Sequence, residues 1–207
     1  MIWSKPAHIP CSLDPVSPYI ASGENWSKRP TPTQGQLEIT DHLQELGVAE
    51  KRVLHIGIGC SHVGRKFLPK AAVVHGVTIN PDEKVLADSY KKLWNYHVSV
   101  GDKHTSDVYA DFWPQTYDWI IDNALTSYAC CAWHLVNLLE ILTSRLAPGG
   151  TLWTHKEALG IHVNEQYELG ERPYPPMDLS ELERIEESQP LTCETIGGII
   201  AIQRRDR

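Results

Sequence analysis

The sequence predicts an α/β fold: a doubly wound, mostly parallel seven-stranded sheet, with helices on both faces and a C-terminal antiparallel hairpin. Three observations predict it. Short apolar, β-branched runs alternate with segments whose apolar residues fall at helical spacing, the pattern of a parallel sheet built from strand–helix units. The first such run ends in Gly57-Ile58-Gly59-Cys60-Ser61, a glycine turn between strand and helix. The last two runs flank Gly197-Gly198, a tight-turn signal.

Residues 1–32 form an N-terminal extension. Pro6, Pro10, Pro15, Pro18, Pro30 and Pro32 argue against regular helix or central strand there. Trp3, Tyr19 and Trp26 give the segment apolar surface, so it reads either as a tail packed on the domain or as a lid over a ligand site. The domain proper spans 33–207. Ile39, Leu43 and Leu46 predict a helix that Gly47 stops. Residues 52–58 read as a buried strand, 61–68 as a short helix closed by Pro69, and 72–79 as a second strand.

Asn80 as N-cap, Pro81 at N1 and Glu83 at N3 announce the next helix. Leu86, Tyr90, Leu93 and Trp94 would line its inner face. Strands at 96–100 and 117–121 end at Gly101-Asp102 and Asp122-Asn123. Leu135, Leu138, Leu139, Leu142 and Leu146 predict an amphipathic helix broken by Pro148-Gly149-Gly150, and 151–154 a fifth strand. A polar, proline-containing stretch covers 156–177, and Ser180 with Glu183 opens a short helix to 187. Residues 191–196 and 199–203 complete the hairpin. Trp94, Trp119 and Trp153 fall within elements and are expected in the core.

A net charge of −7 disfavours a polyanionic partner, so a small-molecule substrate is expected and nucleic acid is not. The five cysteines are odd in number and contain no C-x-x-C pair, which suits reduced thiols in a cytoplasm better than disulfides or zinc. The N-terminus lacks a signal-peptide pattern, and no run of about 18 apolar residues predicts a membrane span. The ten histidines include no H-x-x-x-H pair, so no metal site is expected.

In such sheets ligands lie beyond the carboxyl ends of the strands. Gly57 permits a tight turn there, and Gly59 allows a ligand to approach the backbone closely. The helix that follows would offer its free N–H groups. Four runs carry a wider likeness: His55-Ile56-Gly57-Ile58-Gly59, Gly76-Val77-Thr78-Ile79-Asn80, Tyr117-Asp118-Trp119-Ile120-Ile121-Asp122, and Leu146-Ala147-Pro148-Gly149-Gly150-Thr151-Leu152. Together they resemble the class I S-adenosylmethionine-dependent methyltransferases, with a Rossmann-like fold, over about residues 50–203.

The resemblance implies S-adenosylmethionine as cofactor. It implies the methionine part beside His55, Gly57, Ile58 and Gly59, the ribose at Thr78 and Ile79, and the adenine near Asp102 and Lys103. Asp122 and Asn123 would face the methionine end and the substrate. The family usually has an acidic residue where His55 stands, and another where Thr78 stands. The Gly-Val-Thr run is similar to that of the cyclopropane fatty acid synthase-like branch. Asp82 or Asn80 is expected to compensate for the missing carboxylate.

Read by themselves, His55 suits either a core residue or a cofactor contact, and Asp102, Asp122 and Asn80 suit caps as well as ligand groups. No catalytic motif stands out; Tyr128, His134 and His155, which follow the fourth and fifth strands, are the candidates on the substrate side. The implied activity is methyl transfer to a small molecule, with the N-terminal segment and 156–177 closing over it. The alternatives are a non-catalytic S-adenosylmethionine sensor or scaffold, or another transferase on the same fold. A nicotinamide enzyme is disfavoured, because His62 stands where its third glycine belongs.

Overall fold

Seven strands form one sheet in the order β3-β2-β1-β4-β5-β7-β6. The computed structural model describes residues 31–90, 96–112, 115–127, 132–159, 182, 185–186 and 189–205. Strands β1 (Arg52–Ile56), β2 (Val73–Thr78), β3 (Tyr96–Val100), β4 (Tyr117–Asp122) and β5 (Leu146–His155) run parallel. Strand β7 (Ile199–Arg204) pairs antiparallel with β5 and with β6 (Leu191–Ile196), the expected hairpin. The strand order reverses between β1 and β4, so the ends of these two strands form the switch point where a crevice opens.

Helix α1 (Gln34–Leu46) has a full capping box at Thr33 and Gln36. Its buried residues include Ile39 and Leu43, whereas Leu46 is exposed. With α2 (His62–Phe67), it covers the sheet face that carries Val53, Trp119, Ile121 and Trp153. The other face carries Leu54, Ile120 and Leu152 under helix α4 (Ala132–Thr143), whose Leu135, Leu138, Leu139 and Leu142 are buried.

Three local expectations are corrected. Helix α3 (Pro81–Ser89) buries Glu83 and Ala87, with Leu86 and Tyr90 half-buried beside them. The inward stripe is thus centred on a carboxylate; Leu93 and Trp94 lie outside the described residues. Asn80 caps Asp82 N–H, but Glu83 does not reach back to close a capping box. Finally, α4 ends at Thr143, and Leu146 already pairs with Tyr117 in the sheet. Pro148-Gly149-Gly150 lies within β5, where the register against β4 shifts, and does not end a helix. A one-turn-and-more 3₁₀ helix at Ser106–Phe112, absent from the expected elements, buries Val108, Tyr109 and Phe112. Residues 1–30 and 160–177, which make up most of the two proposed lids and include Trp3 and Trp26, and most of the 180–187 helix lie outside the described residues. Of that helix, Leu182 and Ile185 are buried.

Candidate functional site

Strand β1 keeps its ladder to Gly57, whose N–H donates to Val77 O at 2.8 Å. The chain then turns through φ values of +68° at Gly57, +50° at Gly59 and +58° at Ser61. This is the left-handed region, so the two glycines set where the strand stops and the expected strand does not reach Ile58. A Cβ at Gly57 would meet nothing within 4 Å, and the residue is exposed. Ile58 turns the other way, fully buried in the core. The turn therefore presents bare backbone to open space at the switch point.

Glu83 is the residue that sequence reasoning missed. Its Oε2 accepts from Thr78 Oγ1 at 2.5 Å and from Gly59 N–H at 3.1 Å. It is 5 % exposed, and burial raises its pKa while those two hydrogen bonds oppose the rise. A carboxylate thus reaches the end of β2 from the first turn of α3. Asp82 is exposed, and Asn80 is a cap, as one of its two readings had it. A signal was available: Glu83, Leu86, Ala87 and Tyr90 fall at i, i+3, i+4 and i+7, which turns Glu83 inward and Asp82 out. Gly59 N–H is taken by this carboxylate. Thr78 also accepts from Asn80 N–H, and Ile79 is half-buried beside it.

His55 is 0 % exposed, and neither ring nitrogen has a hydrogen-bond partner among the described residues. Burial, then the charge of His62, drives its pKa down to about 3. The ring is neutral and enclosed. Asp102 forms a local turn, its Oδ1 accepting from His104 N–H at 3.0 Å with His104 Nδ1 at 2.8 Å. Lys103 is buried, and its Nζ reaches Asp122 Oδ2 at 2.8 Å, Ala124 O at 2.7 Å, Leu125 O at 3.1 Å and Ser127 Oγ at 3.1 Å. Asp122 Oδ1 accepts from Ala124 N–H at 3.1 Å.

Asn123 and His155, at the ends of β4 and β5, meet the start of α1. Asn123 Nδ2 donates to Thr33 Oγ1 at 3.1 Å, and Asn123 Oδ1 is buried without a hydrogen-bond partner among the described residues. Glu157 N–H approaches His155 Nδ1 at 3.3 Å. If Nδ1 is the acceptor, Nε2 carries the proton and donates to Glu38 Oε2 at 3.0 Å. That bond is the first cause of the lowered pKa of Glu38. His155 is 2 % exposed and serves here to fasten α1 to β5. Tyr128 and the side chain of His134 lie outside the described residues.

Several solved structures share this architecture. The N-methyltransferase NodS of Bradyrhizobium japonicum WM9, in complex with S-adenosyl-L-homocysteine, is 13 % identical with a TM-score of 0.60, covering 92 % of this chain and 97 % of its own. An rRNA methylase from Streptococcus thermophilus is 9 % identical with a TM-score of 0.54, covering 85 % and 99 %. A ribosomal protein L11 methylase from Lactobacillus delbrueckii subsp. bulgaricus is 16 % identical with a TM-score of 0.54, covering 85 % and 81 %. No protein-family model matches the chain, and no curated protein matches it by sequence. The chain has the Rossmann-like fold of the class I S-adenosylmethionine-dependent methyltransferases.

Proposed function

We propose that this protein is an S-adenosylmethionine-dependent methyltransferase acting on a small molecule. The observation that carries the reading is the exposed, positive-φ glycine turn at the switch point of a sheet with this strand order. The residues fit the cofactor: Gly57 has open space where a Cβ would stand, and Thr78, Ile79 and Glu83 lie together at the neighbouring strand end. We assign Gly57 and Gly59 to the methionine side, Ile79 and the Thr78–Glu83 pair to the ribose, and the Asp102 loop to the adenine. When bound, S-adenosylmethionine supplies an electrophilic methyl group on a sulfonium.

The protein's part is then to position an acceptor and exclude water. We assign Asn123, at the end of β4, to the acceptor side; its Oδ1 has no hydrogen-bond partner among the described residues. The net charge of −7 supports a small acceptor over RNA, the substrate of one fold neighbour. Isothermal titration tests the reading: S-adenosylhomocysteine should bind with a Kd in the micromolar range or tighter, and Gly57→Val should abolish binding. A folded wild-type protein that binds neither S-adenosylhomocysteine nor S-adenosylmethionine would falsify it.

A further inference from the structure

The geometry points to Lys103 as a positioning residue that ties the cofactor side of the site to the turn after β4, in place of the adenine contact that the resemblance implies. Its ammonium has three N–H groups and four oxygens within 3.1 Å, all contributed by residues 122–127. Its donor capacity is spent on that turn. The side chain is 7 % exposed and its partner Asp122 3 %, so water does not compete for the contacts.

The other end of the link is equally fixed. Tyr109 Oη donates to Lys103 O at 2.8 Å, and Asn137 Nδ2 donates to His104 O at 3.1 Å. The Tyr109 ring lies under the Arg145 guanidinium at 4.7 Å, which holds that anchor in turn. The loop after β3 is thus bolted to the 3₁₀ helix and to α4, and one buried cation reaches from it to the end of β4. The turn it grips carries Asn123, and Thr126 Oγ1 donates from it to Leu159 O at 2.7 Å. A ligand that orders the loop after β3 therefore orders the turn after β4 through Lys103. This link rests on the methyltransferase reading for the identity of the ligand, but its geometry does not.

Hydrogen exchange on the full chain tests it, with S-adenosylhomocysteine as the probe. In wild type, saturating probe should slow exchange in the 122–127 peptide at least threefold. Lys103→Met keeps the stem and removes the ammonium; it should speed exchange in that peptide at least tenfold without probe and abolish the probe's effect there. Its Kd for the probe should stay within threefold of wild type. Ser127→Ala, a milder change, should speed exchange about threefold and decides the matter if Lys103→Met does not fold. Unchanged exchange at 122–127 in either folded variant overturns the proposal, as does a Lys103→Met Kd more than tenfold weaker with the turn still protected. A wild type that binds no probe sinks the methyltransferase reading alone, and the exchange rates without probe still judge the link.

Discussion

Acid should destabilise this protein through one histidine above all. His55 lies fully buried in β1 with no hydrogen-bond partner among the described residues on either nitrogen. The free residue titrates near 6.5, whereas in the fold it does so at about 3. The unfolded chain therefore binds more protons between those two values, and stability falls as pH falls through that window. Each pH unit removes about 1.4 kcal/mol, so pH 5 costs about 2 kcal/mol, and the whole window on the order of 5 kcal/mol. Typical domains have about 5–15 kcal/mol in all. His55→Leu removes the titrating group and two unpaired polar atoms, so at pH 7 it should be neutral or more stable by about 1–2 kcal/mol. Urea unfolding followed by tryptophan fluorescence measures both effects. Between pH 7 and pH 5 the wild type should lose about 2 kcal/mol more than the variant. Parallel losses, agreeing within about 0.5 kcal/mol, would refute the reasoning. His75, whose pKa burial lowers to about 4, contributes equally to both proteins and cancels.

Two further outcomes follow from the site and its floor. Glu83→Gln keeps the shape but removes the charge beside Gly59 and Thr78; titration should show S-adenosylhomocysteine binding weakened about tenfold, about 1.4 kcal/mol, with secondary structure unchanged. Gly76→Ala places a Cβ 2.7 Å from Ile58 Cγ2 and 3.0 Å from Val98 Cγ2. It should cost about 1–3 kcal/mol by urea unfolding, as overpacking does.

The central strands were legible because β1, β2 and β4 are largely apolar runs buried along nearly their whole length. The glycine turn was legible because only a glycine-rich stretch bends there without strain. The role of Glu83 was hidden because its position, three residues after Asn80, reads equally well as a helix cap. Its partner Gly59 lies 24 residues away in sequence, and only the docking of α3 on β2 and β3 brings them together. Lys103 was placed at the correct strand end, but its direction was not readable. The length of its side chain lets it reach four oxygens on another loop. His155 likewise follows its strand as expected; its two contacts come from Glu38, 117 residues away, and from its own 3₁₀ turn.

Pro148-Gly149-Gly150 holds a more general consequence. A Cβ at Gly150 would sit 2.7 Å from Tyr117 O and 2.9 Å from Ala147 O, both backbone atoms that cannot step aside, and Gly149 has φ +73°. Gly150 is a mould mark left by the backbone of β4 and of β5 itself, whereas Gly149 answers to its own positive φ. A side chain at either position would have to displace or strain backbone, so the pair is set by the geometry of the sheet itself.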